Sequence, residues 1–231
     1  MEDKTGKNLR ITGIVLMALT TAMNILGGTG TVCAAFLTKK YPMVDILRPV
    51  DYRWLYQTFM IVTILIGLAG IWTTINLIRG KNKAYQNTLI VLAVGTLVSG
   101  IHFYASMTIR ESATPANMKF FANVITFLVF LIFGLPGIRQ RVNFSGPGDT
   151  TTQMTSGGLA AITVGILILS VRTWVGASHV YDGNNWVDVL RMPLLLSGSG
   201  LTITGVGLML RSAFDSLHIF AREKKVTVSP D

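Results

Sequence analysis

The sequence predicts an all-α fold: a polytopic membrane protein built as a bundle of six transmembrane helices. Three observations carry that expectation. Half of the 231 residues are hydrophobic and only 13% are charged, too apolar a balance for an ordinary soluble domain. The charges are almost absent from six stretches and crowded between them. Each stretch approaches or exceeds the roughly 20 apolar residues a helix needs to cross the hydrocarbon core.

The spans are expected at about 11–37, 55–78, 88–109, 118–138, 157–178 and 192–211. The first follows Lys4, Lys7 and Arg10 and ends near Val32-Cys33-Ala34, an arrangement resembling a signal peptide. Its apolar run is longer than a signal h-region, so a retained first helix is expected. Residues 38–54 mix charge with aromatics and contain Pro42 and Pro49, which suits a loop lying on the membrane surface. Residues 139–156, with Ser145-Gly146-Pro147-Gly148-Asp149 and three following threonines, read as a flexible connection. Residues 221–231 read as a disordered polar tail. No connection is long enough to hold a second domain, so residues 1–231 form one. Gly67–Ile71 and Gly134–Ile138 are similar strings at similar depth, a faint trace of duplicated hairpins.

The formal net charge of +9 does not indicate nucleic acid, because Lys and Arg sit at helix ends rather than on one face. Twelve basic residues (Lys4, Lys7, Arg10, Arg79, Lys81, Lys83, Arg139, Arg141, Arg211, Arg222, Lys224 and Lys225) fall on the side of the termini. Seven (Lys39, Lys40, Arg48, Arg53, Arg110, Lys119 and Arg191) fall on the other. Cytoplasmic loops gather Lys and Arg, so both termini are expected in the cytoplasm of a cell-membrane protein. Tyr41, Tyr52, Trp54, Tyr56, Tyr104, Trp174, Tyr181 and Trp186 then map to the outer boundary, where amphipathic rings favour the headgroup layer.

Lipid tails are as apolar as Leu, so contact between helices depends on close backbone approach at small residues. Gly157, Ala161 and Gly165 form such a stripe on the fifth span. Thr63, Gly67, Gly70 and Thr74 form one on the second, and Gly198, Thr202 and Gly205 one on the sixth. The stripe on the fifth span is alternatively a homodimer face. Cys33, the single cysteine, builds no disulfide, CxxC pair or thiolate metal site and reads as a small packing residue.

Polar residues inside spans mark candidate sites, because burying them in lipid is costly. His102 lies about 10 Å below the outer end of the third span at 1.5 Å per residue. Arg172 lies near the outer end of the fifth, and Gln57 at the outer end of the second. Asn123 sits below Asn117 and Lys119 in the fourth. Gly27–Gly30, including Gly28, and Ser197–Gly200, including Ser199, are expected to interrupt the first and sixth spans at the same depth. Such paired breaks point to binding sites in transporters. Gly27–Gly30 is no phosphate loop, since no strand precedes it and no Lys follows in place. The plainer readings are interhelical hydrogen bonds for His102 and Asn123, snorkelling for Arg172 and packing for the glycines. His179, Tyr181, Asp182 and Asp188 fall on a solvated outer loop.

These cues lead to a small membrane subunit or binding protein whose outer-leaflet cavity takes a lipid, quinone or similar amphipathic ligand. Its surroundings would be the bilayer and other membrane subunits or further copies of the chain. A transporter is the first alternative, but all eleven acidic residues lie outside the expected spans, and coupled carriers usually bury one. A haem-binding or other redox subunit is the second, although only His102 lies within a span to act as an axial ligand. No cofactor can be named from the residues. A metal centre would need more convergent ligands, and a catalytic nucleophile with its base is not visible.

Overall fold

A computed structural model describes residues 4–37, 52–111, 113–114, 116–144, 146, 148–181 and 184–226. The expected surface loop at 38–54 lies mostly outside these residues. Six helices are long and apolar enough to cross a membrane, as the sequence predicts, and the architecture is that of a multi-pass membrane protein. They are α1 (Lys4–Gly30, continued by a π-helical turn at Cys33–Leu37), α2 (Arg53–Ile78), α3 (Ala84–Arg110), α4 (Ala116–Phe133), α6 (Thr150–Leu169) and α8 (Arg191–Val226). Two short helices, α5 (Pro136–Val142) and α7 (Val171–Val175), lie between them. With an even number of crossings, both ends of the chain lie on one face, called the N face below; the opposite one is the far face.

α1 to α4 pack as a closed ring, each against the next and α4 back against α1. The hairpin of α6 and α8 joins this ring through α6, which lies against α1. Large apolar side chains face outward at helical spacing: Ile61, Leu65, Leu68, Trp72 and Ile75 on α2, and Ile90, Val94, Leu97, Ile101 and Tyr104 on α3. A soluble bundle would reverse that pattern; here the outward stripes suit lipid contact.

Inside, the ring changes character along its axis. The half nearer the N face is apolar, with Ile14, Met17, Leu77, Leu92, Phe130 and Phe133 in one cluster. Tyr85, Phe130 and Phe144 stack there, and Tyr85 donates a 2.7 Å bond to the Phe130 carbonyl. The middle and far half contain Thr20, Asn24, Thr63, His102, Lys119, Asn123 and Thr126, all buried.

Several ends differ from the expected boundaries for local reasons. The fourth span was expected to reach 138, but α4 stops at Phe133. Gly134 and Leu135 turn the chain, and Pro136 restarts it at the first position of α5, where its missing N–H costs nothing. α6 begins at Thr150 rather than 157, because the Asp149 carboxylate accepts the Thr152 amide at 2.6 Å and caps the helix. α6 ends at Leu169, and Ser170 separates it from α7. The supposed flexible connection is thus largely helical, and α8 continues to Val226, through the first half of the expected tail. The α2–α3 turn is a Schellman motif: Gly80, at φ 59°, donates to the Leu77 carbonyl and Lys81 to the Asn76 carbonyl.

At the N face, Arg10 is buried and ties three segments together. Its guanidinium donates to the carbonyls of Asn143 (3.0 Å), Gly146 (2.9 Å) and Leu77 (3.2 Å). Lys7 pairs with Asp149 at 2.5 Å beside it.

The small-residue seams follow the packing rule, with one correction. Gly67 and Gly70 admit Ile25 and Thr21 of α1, where an added Cβ would come within 2.5 Å. On α6 the close approach to α8 is made by Gly158 and Gly165, not by the stripe Gly157–Ala161–Gly165. A Cβ on Gly158 would lie 2.9 Å from the Gly205 carbonyl oxygen, whereas one on Gly157 would meet nothing nearer than 3.8 Å.

Candidate functional site

The polar residues of the far half form one connected layer centred on Lys119. α4 enters the ring three residues before it, which turns this side chain inward rather than toward the headgroups. Lys119 Nζ lies 2.7 Å from His102 Nδ1 on α3 and 3.1 Å from Thr63 Oγ1 on α2. With the ammonium as donor, His102 accepts through Nδ1 and keeps its proton on Nε2. The imidazole stacks on Phe59 at 4.4 Å between centroids, and the Tyr56 ring stands edge-on to it at 5.8 Å.

One turn deeper, Asn123 and Asn24 exchange amide bonds of 2.9 and 3.2 Å between α4 and α1, and Asn123 also donates to the Lys119 carbonyl at 2.7 Å. Gly95 of α3 leaves the space the Asn123 carboxamide occupies. Below it Thr20 and Thr126 share a 2.7 Å bond. The layer thus joins all four ring helices. Among the described residues no carboxylate pairs with Lys119, whose side-chain partners are the neutral Thr63 and His102.

An apolar crevice of about 400 Å³ lies outside the ring, between the far end of α1 and the connection from α6 to α8. Leu26, Ile168, Trp174, Val187 and Leu194 form much of its wall, with polar groups from Thr29, His179 and Ser197. Lys119 also reaches it, because its aliphatic stem crosses α1 at Gly27, where a Cβ would come within 3.0 Å. His179 is buried here, its Nδ1 3.2 Å from the Val175 carbonyl. Burial, above all, holds its pKa below the usual imidazole range, and the Arg110 charge pushes the same way; bonds to the Val175 and Gly30 carbonyls oppose them. A larger hollow of about 700 Å³ at the N face, between the start of α3 and α5, is lined by Lys83, Gln86, Arg139 and Gln140 among others.

The structure brings together some of the expected residues and separates others. His102 and Asn123, 3% and 1% exposed, point into the ring and are linked through Lys119. Arg172 does not join them: its side chain is 67% exposed and forms a fork with Asp188 at 2.7 and 3.2 Å. Its neighbours Val171, Trp174 and Val175 line the crevice instead. Gln57 donates to the Ala35 carbonyl at 3.3 Å and ties α2 to the π-helical turn. Gly28 is a packing residue, its face closed by Ile64 of α2. Ser199 is exposed on α8, and Ser197 takes the crevice position.

Of the two expected helix interruptions, the one in the sixth span is absent, and in the first span the α-helical geometry gives way only after Gly30, to a π-helical turn at Cys33–Leu37. Gly27–Gly30 is helical, the Thr31 amide still reaching the carbonyls of Gly27 and Gly28 at 3.1 Å, and α8 runs unbroken through Ser197–Gly200. Lys119 was missed as a site residue. Its signal was the spacing Lys119, Asn123, Thr126, a polar stripe on one face of an otherwise apolar helix.

No protein-family model, curated protein or solved structure matches this chain. The function is therefore argued from the geometry.

Proposed function

We propose that this protein binds an amphipathic ligand, a lipid, quinone or similar molecule, in the crevice between α1 and the α6–α8 hairpin. The observation that carries the reading is the crevice itself. Its volume falls within the roughly 300–1,000 Å³ of small-molecule sites, with mostly apolar walls and a few polar groups to orient a headgroup. The tail lies against Leu26, Ile168 and Leu194, and the head meets His179, Thr29 or Ser197.

The excess of basic residues on the N face supports a cytoplasmic N face, with the crevice opening in the outer leaflet. With Cys33 replaced by Ala, single cysteines at Lys81 and Gln140 should label only after permeabilisation, and one at Asn184 in intact cells. External labelling at Lys81 would reverse the orientation.

The ligand test is co-purification in mild detergent followed by mass spectrometry and an absorbance spectrum. Leu194→Trp and Ile168→Trp fill the crevice, and each should deplete a specific small molecule while leaving the melting profile close to wild type. An unchanged complement of bound molecules in both variants would defeat the proposal.

A further inference from the structure

The far ends of α2 and α3 hold a second polar cluster, made of residues that do not line the crevice. Tyr56 and Ser106 are both fully buried, at 0% exposure, and Arg110 lies one turn beyond Ser106 on the same face of α3. The Tyr56 hydroxyl lies beside Ser106 Oγ, but without hydrogen-bond geometry. Among the described residues, nothing hydrogen-bonds Tyr56 Oη, Ser106 Oγ or Arg110 Nε, all of which are shielded from solvent.

Ser106 is the telling member. Most other hydroxyls on α3 fold back on their own helix: Thr88 donates to the Ala84 carbonyl at 2.9 Å, Ser99 to the Gly95 carbonyl at 2.5 Å and Thr108 to the Tyr104 carbonyl at 3.1 Å, with Thr96, deeper in the helix, also unpaired. Ser106 has the same option with the His102 carbonyl and does not use it. Buried polar groups are almost always paired, so three unpaired ones together at the far ends of two adjoining helices need an explanation.

Charge supplies it. No carboxylate among the described residues lies within ion-pair distance of Arg110. Its charge is felt at Tyr56, and also at Cys33, His102 and His179. Lys119 adds a second basic group whose partners are neutral. Arg110 is the last residue of α3, at the end of a helix long and apolar enough to cross a membrane.

We propose that Arg110, Tyr56 and Ser106 form a binding site for a phosphate oxyanion, either a phospholipid headgroup or free phosphate. Arg110 Nε–H and the two hydroxyls are donors without acceptors, and a tetrahedral oxyanion offers acceptors in several directions while neutralising the guanidinium. The site uses different residues from the crevice, so the two proposals stand or fall separately.

The test uses the whole protein, washed extensively in maltoside detergent. Its melting temperature is followed against sodium phosphate, against sodium chloride at equal ionic strength, and against phosphatidylglycerol micelles. Native mass spectrometry of the washed protein reports any phospholipid retained. Stabilisation by phosphate and phosphatidylglycerol identifies an oxyanion site open to water; stabilisation by phosphatidylglycerol alone, or retained phospholipid, identifies a headgroup site. Arg110→Gln should abolish either response. Tyr56→Phe and Ser106→Ala should raise the half-saturating concentration roughly tenfold, as loss of one charge-assisted bond does, and Arg110→Lys should keep part of the response. The variants also give the opposite sign if there is no ligand, since removing an unpaired buried hydroxyl then stabilises or leaves the fold unchanged in every buffer. That result, or no stabilisation and no retained phospholipid in the wild type, or equal responses in wild type and Arg110→Gln, would overturn the proposal.

Discussion

The reciprocal amide pair of Asn24 and Asn123 makes the contribution of the polar layer measurable. Asn24→Ala removes both bonds between the two side chains, leaving Asn123 Oδ1 without its donor while Nδ2 keeps the Lys119 carbonyl. Stranding one buried polar group costs about 1–3 kcal/mol. Asn123→Ala strands Asn24 and also releases the Lys119 carbonyl, so it should cost more than Asn24→Ala. The double variant leaves neither amide stranded. Hydrogen bonds between membrane helices average about 0.6 kcal/mol and reach about 1.7, so two of them should give a coupling energy of about 1–2 kcal/mol. The cavities left by truncation enter the single and double variants alike and largely cancel. Reversible unfolding in mixed micelles, followed by circular dichroism across the four proteins of the cycle, measures the coupling. A value within about 0.3 kcal/mol of zero, the range of independent sites, would mean that the pair is not formed as described.

Three further outcomes follow from the packing and the titrating groups. Gly158→Leu and Gly165→Leu should separate α6 from α8 and lower stability by about 1–3 kcal/mol. Gly200→Leu and Gly207→Leu, where an added Cβ meets nothing within 4 Å, should be nearly silent in the same melting assay. Burial resists ionisation of Asp149, but the bonds from Lys7 and Thr152 outweigh it and hold its pKa at about 2 against an ordinary 3.8. Its contribution should therefore be complete above the ordinary value and fade as pH falls through about 2; Asp149→Ala should cost about 0.5–2 kcal/mol at neutral pH through the lost cap. The depressed pKa of His179 has the same sign: stability conferred by the neutral ring should decline as pH falls below about 6.5, the ordinary imidazole value. His179→Gln should flatten that part of the melting-temperature profile, and a profile of unchanged slope would exclude the buried neutral ring.

What could be read in the sequence was whatever lipid itself enforces. A span must be apolar over its whole length, so the six helices were visible before any contact was known. Their ends were less so, because ends depend on local chemistry. The Asp149 cap, the Gly134–Pro136 turn and the two-bond closure at Gly80 each moved a boundary or set one. His102 and Asn123 stood out because a polar group in a span must find a partner. Arg172 stood out for the same reason, but a long cationic chain near a helix end can reach water, and it did so beside Asp188. The Gly27–Gly30 run misled in another way. Unpaired backbone is costly in lipid, so glycines there stay helical and serve close packing, Gly28 against Ile64 and Gly27 against Lys119.

Lys119 shows the limit most clearly. Three residues into α4, a lysine belongs by sequence to the headgroup layer, and only its neighbours decide whether it turns outward or inward. It turns inward because Gly27 leaves a channel across α1 for the methylene stem, while Thr63 and His102 offer acceptors at the far end. That one side chain connects the two features of the far half. Its stem forms part of the crevice wall, and its ammonium belongs to the polar layer that joins α1, α2, α3 and α4. A molecule seated in the crevice would therefore press on the group that holds the ring's polar layer in register. A larger residue at Gly27 would disturb both places at once.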